Sequence, residues 1–112
     1  MKKLILLTVF LLITYTLAKG QSVYVVNYAN LADVKVFVVQ SQNLADLRVY
    51  KVQYSNQAGI NNGVWFFAKS PTQAKKKICF VQYANLADLK IYFVNYQNQA
   101  GWNNQSKMYL MN

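Results

Sequence analysis

The 112-residue chain contains no histidine, no glutamate, one cysteine and one proline. Without histidine there is no imidazole to serve as a general base, to complete a nucleophile triad or to ligate a metal. A single cysteine forms no disulfide within the chain. Acidic residues are scarce too: Asp33, Asp46 and Asp88 stand against 12 Lys and Arg, for a formal net charge of +9. Three Asp without Glu do not make a carboxylate-rich cation cage. These absences imply no metal, no cofactor and no catalytic group, and the chain reads as a non-enzymatic protein.

The N-terminus is read as an export signal. Lys2 and Lys3 precede the uncharged run Leu4–Leu17, LILLTVFLLITYTL. Its 14 residues fall short of the roughly 20 that a membrane-crossing helix needs. Ala18-Lys19-Gly20 then supplies small side chains for a cut before Gln21, and a cut after Ala18, behind Thr16, is the alternative. No cysteine follows the run to carry a lipid anchor. Residues 1–20 are therefore assigned as signal peptide and 21–112 as an exported domain without a transmembrane segment, bound for the periplasm or the extracellular space. That domain carries 9 basic and 3 acidic residues, a net charge of +6.

Within 21–112 the sequence repeats. Alanine recurs at 32, 45, 58, 74, 87 and 100, at intervals of 13, 13, 16, 13 and 13. The longer period is 42 residues, seen when NLADLRVYKVQYSNQAGINN (43–62) is set against NLADLKIYFVNYQNQAGWNN (85–104). Between the alanines lie runs of Val, Ile, Tyr and Phe with a period of two, the strand signal. Strands are expected near 23–28, 34–40, 47–54, 64–68, 77–83, 89–96 and 107–111, with no helix after residue 20. In 89–96, Leu89, Ile91 and Phe93 share one face, and Lys90, Tyr92, Val94 and Tyr96 the other. Asn30, Asn43, Asn56, Asn85 and Asn98 suit a repeated turn because asparagine tolerates left-handed backbone and bonds back to the chain. Gly59 and Gly101 mark the longer connection, where positive φ is available to glycine. The alanines are expected to pack inward. The fold class is all-β: seven short strands in two tandem 42-residue units.

The motif N-L-A-D-[LV]-[KR]-[VI]-[FY], the ending N-Q-A-G-W-N-N and the tandem strands resemble the septoil-knot domain, a small family of unknown function named for a backbone knot with seven crossings. The resemblance covers residues 22–111. It implies a compact β-domain whose halves wind around one another, slow to fold and slow to unfold. A β-solenoid or a small barrel is the unknotted alternative. The second half departs from the first where Lys75-Lys76-Lys77 stands for Asp33-Val34-Lys35 and Pro71 for Ala29.

The three Asp all follow a repeat alanine, which points to a shared structural role rather than to an acid pair of the glycosidase kind. Lys75, Lys76 and Lys77, the only basic run of the domain, are the candidate anion-binding residues, with an anionic surface or polysaccharide as the expected partner; nucleic acid has no strong signal. Lys35, Arg48, Lys51, Lys90 and Lys107 are spread over the repeats as a solubilising surface. Tyr24, Phe37, Tyr50, Phe66 and Tyr92 fall at mid-strand and Tyr28, Tyr54, Tyr83 and Tyr96 at strand ends, in the register of cross-strand aromatic packing. Trp65 and Cys79 are expected in the core and Trp102 partly exposed. Gln57-x-Gly59-x-x-Asn62 and Gln99-x-Gly101-x-x-Asn104 are similar to an element of curli-type amyloid subunits, although the 42-residue period is not theirs. The function expected is an exported binding module for an anionic or polymeric partner. The alternative is a self-assembling subunit of a fibre or coat.

Overall fold

The computed structural model describes residues 20–112. The assigned signal peptide, apart from Gly20, lies outside the described residues. Six strands follow the repeat rhythm: β1 (Ser22–Val25), β2 (Val34–Val38), β3 (Leu47–Val52), β4 (Val64–Phe67), β5 (Lys76–Phe80) and β6 (Leu89–Phe93). A seventh, β7, is the pair Gly101–Trp102. Six three-residue 3-10 turns separate them: η1 (Ala29–Leu31), η2 (Gln42–Leu44), η3 (Ser55–Gln57), η4 (Pro71–Gln73), η5 (Ala84–Leu86) and η6 (Gln97–Gln99). A longer 3-10 helix, η7 (Gln105–Met111), ends the chain.

Hydrogen bonds order the strands β4-β1-β5-β2-β6-β3, and β3 pairs back onto β4. Six parallel strands thus close into a small barrel, and the all-β expectation of seven short strands holds. Strands of the first half, β1, β2 and β3, alternate around it with β4, β5 and β6 of the second. The register shows how. Val25, ending β1, and Val34, starting β2, pair with the same residue, Ile78 of β5, from its two sides. Phe80 and Leu89 flank Val36 in the same manner, and Val38 and Leu47 flank Ile91. Phe67 and Lys76 flank Val23.

A parallel connection ordinarily spends a dozen or more residues returning to the level at which the previous strand began. The stagger between neighbours removes that return, as strand tilt and stagger are linked in any closed barrel. The chain leaves β1, steps over β5 and starts β2 at the level where β1 stopped. Accordingly η1 packs on β5, η2 on β6, η4 on β1, η5 on β2 and η6 on β3. Each of these five turns bridges the strand of the other half that separates the two it joins, whereas η3 joins β3 to β4, which pair directly. The halves therefore wind about one another like two plies of a cord.

Inside the barrel, Val23, Val36, Leu47, Val49, Trp65, Ile78, Leu89 and Ile91 are fully buried. They occupy alternate strand positions, as the period of two requires. Met111 of η7 is buried among them. Residues 107–111 are therefore 3-10 helix, not the expected strand. β6 takes one side of β3, and β4 and β7 take the other, which leaves KMYLM no edge to pair with. Its backbone is satisfied by local bonds, and the apolar run is used to place Met111.

The turns differ from expectation in one further respect. Asn30, Asn43, Asn56, Asn85 and Asn98 sit at the centres of right-handed 3-10 turns, so the claim of no helical element after residue 20 is also corrected. Each turn closes on its first carbonyl, as in Ala32 N–H to Ala29 O (3.2 Å) and Ala45 N–H to Gln42 O (3.3 Å). Among the described residues the one left-handed non-glycine is Asn61, φ 49°. It follows Gly59, where a Cβ would collide with the Asn62 side chain. That side chain accepts the Val64 N–H at 3.2 Å and starts β4. The repeat alanines are buried or half-buried in extended backbone beneath this framework.

Ile78 has a register neighbour on each side and no exposed surface. Ile78→Ala is expected to cost about 2–5 kcal/mol, read as a lowered denaturation midpoint. Val25→Ala, at a residue 39% exposed, should cost far less; equal losses would contradict this account of the core.

Candidate functional site

The acidic residues are bound into the crossings. On landing beyond the crossed strand, Asp33 donates its N–H to the Lys77 carbonyl (2.8 Å). Its carboxylate accepts the Lys77 N–H in return (2.9 Å). Asp46 forms the same two-point clamp on Lys90 and Asp88 on Lys35. Lysine cannot accept in this way, so Lys75, at the equivalent place in the second half, donates to the Ser22 carbonyl (2.8 Å) and hydroxyl (3.2 Å) instead. Pro71 begins η4, where its missing N–H costs nothing. Asp46 carries more than the others. Its second oxygen takes the Asn104 amide (3.2 Å), its carbonyl takes the N–H groups of Asn103 and Asn104, and Lys107 Nζ lies 3.7 Å away.

Lys75, Lys76 and Lys77 do not form one patch, because successive strand side chains alternate between faces. Lys75 and Lys77 are exposed, whereas Lys76 is half-buried on the side of Ile78. Lys75 borders an open cleft of about 910 Å³ whose walls include Ser55, Asn56, Phe66 and Gln73. On the other flank of η3 lies a second open cleft of about 840 Å³, with Lys51, Lys69, Tyr54 and again Ser55, Asn56 and Phe66. The turn η3 is thus a ridge between two clefts that carry three lysines. Lys51 is steadied there by the rings of Phe93 and Phe67, 4.4 and 5.0 Å from its Nζ, a cation–π arrangement. Lys76 and Lys77 line neither cleft. Lys51 reaches this ridge only through the β3–β4 pairing, a placement that no sequence spacing carried.

Charge on this surface is little neutralised. Residues 20–112 hold nine basic and three acidic side chains, and Lys107–Asp46 is the one ion pair among the described residues. The aromatics divide into two sets. Tyr24, Phe37, Tyr50, Phe66 and Tyr92 are half-buried on the strands. Tyr28, Tyr54, Tyr83 and Tyr96 precede the turns and are each more than three-fifths exposed, so the expectation of packing is corrected for this second set. The ring pairs among the described residues, Trp65–Phe67 and Phe67–Phe93, belong to neither. Leu31, Leu44 and Leu86 project from the turns beside them. Trp65 and Cys79 are buried, and Trp102 is half-buried with its indole N–H on the Asn61 carbonyl (2.8 Å). Among the described residues no group of three or more Cys, Asp or Glu is placed to hold a metal, and no helix is long and apolar enough to cross a membrane.

If the carboxylates act by clamping backbone, Asp46→Ala should cost about 1.5–3 kcal/mol, the range for hydrogen bonds to charged groups. Asp46→Asn, which keeps an acceptor oxygen, should cost clearly less, and Asp33→Ala less than Asp46→Ala. Chemical denaturation of the three variants tests that order; a reversed order would remove the clamp from the account.

No curated protein matches the chain. The family model described as the 7(1) septoil knot domain matches residues 20–103, which span all seven strands and all six three-residue turns. The match covers the interleaved strands and the repeated N-L-A-D segments alike, and the chain belongs to the septoil knot domain family.

Proposed function

We propose that the protein is exported and acts as a non-enzymatic module that binds an anionic, polymeric partner, such as an acidic polysaccharide, at or beyond the cell surface. The observation that carries this reading is the unneutralised charge: nine basic side chains and one ion pair among the described residues. A surface of one sign concentrates polyanions and orients their approach. The two clefts beside η3 suit an extended chain, with Lys51, Lys69 and Lys75 to meet its charges and Tyr54, Asn56 and Gln73 to meet rings and hydroxyls. Of the run Lys75–Lys77, Lys75 is the member placed to contribute.

Retention on a sulfated polysaccharide matrix at low salt tests the site. Replacing Lys51, Lys69 and Lys75 with Gln should weaken retention more than replacing Lys35, Lys77 and Lys90, which removes the same charge elsewhere. Equal effects would reduce the interaction to net charge, and unchanged retention in both variants would reject it. Salt should weaken the wild-type interaction, since the screening length is about 10 Å at 0.1 M ionic strength.

The exposed Leu31, Leu44, Leu86 and Ile60 favour a second reading, a self-assembling subunit of a fibre or coat. Size-exclusion chromatography with light scattering on 21–112, at low and moderate salt, separates the two. A monomer at both salts is expected for the binding module; salt-resistant, growing assemblies would put the structural subunit in its place.

A further inference from the structure

Gln21 is the one fully buried polar side chain among the described residues. Neither its amide nitrogen nor its amide oxygen has a hydrogen-bond partner. Buried carboxamides are normally satisfied, because an unpaired polar group gives up its hydration for nothing. The surroundings offer little. Gln21 precedes β1 in register beside Trp65, itself fully buried with an unpaired indole N–H. The backbone at this position is well held: the Gln21 N–H donates to the Gly59 carbonyl (2.7 Å), and its carbonyl accepts the Phe66 N–H (3.0 Å).

The export reading makes this residue unusual. A cut after Gly20 leaves Gln21 as the first residue, and its nitrogen becomes an α-ammonium group against the Gly59 carbonyl, beside a fully buried side chain. A charge at the mouth of an apolar interior is costly unless it is paired. Asp46, Asp88 and Asp33 are all committed to the other strands.

We propose that Gln21, exposed as the N-terminal residue by signal-peptide removal, is cyclised to pyroglutamate, so that the mature chain starts as a neutral lactam built into the barrel; this rests on the export reading above. The α-amino nitrogen, in its neutral form, attacks Cδ of its own side chain. The N–Cδ bond forms and the Cδ–Nε2 bond breaks. Nε2 leaves as ammonia, taking up the proton that the α-nitrogen releases. The step is internal, with no oxidant or second substrate. The lactam nitrogen keeps one hydrogen, and the main-chain carbonyl still meets Phe66. The unpaired Nε2 is eliminated, the terminal charge is abolished, and one ring carbonyl remains. Cyclisation takes place before the barrel closes, while the terminus is accessible. Afterwards the ring is sealed.

Secretion of the full 112-residue chain, followed by intact-mass measurement and fragmentation of the N-terminal peptide, tests this. The expected species begins at residue 21, is lighter than the Gln21-initiated chain by one ammonia, and has no amine open to Edman degradation. Pyroglutamyl peptidase should release the ring from the denatured chain and leave the native protein untouched. An exported chain that begins with an intact Gln21 and a free amine would overturn the modification and leave export standing. A chain beginning at Lys19 would overturn the cut on which the modification depends while export still stands. A chain beginning at Met1 would overturn both the modification and the export reading.

Discussion

The structure depends on the shared pairing that lets one residue of a strand serve two strands of the other half. Ile78 holds Val25 and Val34 on its two sides, and Val36 and Ile91 do the same for their neighbours. Because consecutive strands of one half end and begin at the same level, a three-residue turn suffices where a parallel sheet would otherwise need a helix. The short repeat, the absence of long helices among the described residues and the interleaved order all follow. Neither half encloses a core alone: three strands with gaps the width of a strand bury nothing until the other three fill them.

The same constraint assigns duties to the polar residues. Every crossing lifts the chain off the sheet and must land it again in register. The Asp clamps do this with a carboxylate that accepts the N–H, and a main-chain N–H that donates to the carbonyl, of one residue on the crossed strand. A carboxylate used in this way is a register pin, which is why all three acids occur at one phase of the repeat. It also leaves the lysines largely without acidic partners, so the positive surface is a by-product of the architecture as well as a means of attracting polyanions.

Closure decides what the surface presents. A barrel of six parallel strands has no free edge along most of its length, and edge pairing is the usual route to uncontrolled assembly. The apolar exposure is moved to the turns, where Tyr28, Tyr54, Tyr83 and Tyr96 stand with Leu31, Leu44 and Leu86. Contacts with partners therefore fall on the outside of the bridges and in the clefts between them, of which the pair flanking η3 carries the most lysine.

Much of this was legible in advance. Alternation of Leu89 and Ile91 with Lys90 and Tyr92, the 13-residue spacing and the Ala-Asp phase depend on neighbours in sequence, and the strands, turns and family follow from them. What escaped depended on who lies beside whom. KMYLM has strand-like composition, yet it forms a 3-10 helix because β3 has no vacant side. The repeated asparagines tolerate left-handed backbone by local propensity, but the bridging geometry asks for a right-handed turn. Lys75, Lys76 and Lys77 form a cluster only along the chain. The pleat turns Lys76 away from Lys75 and Lys77, while Lys51, distant in sequence, is placed on the other flank of η3 by strand pairing. Sequence by itself determined the period, the strand faces and the sign of the charge, because these are properties of neighbouring residues. The order of the strands, the sealing of Gln21 inside the barrel and the grouping of the lysines were decided by the tertiary structure alone, because each arises from pairing between halves that the chain brings together only on folding.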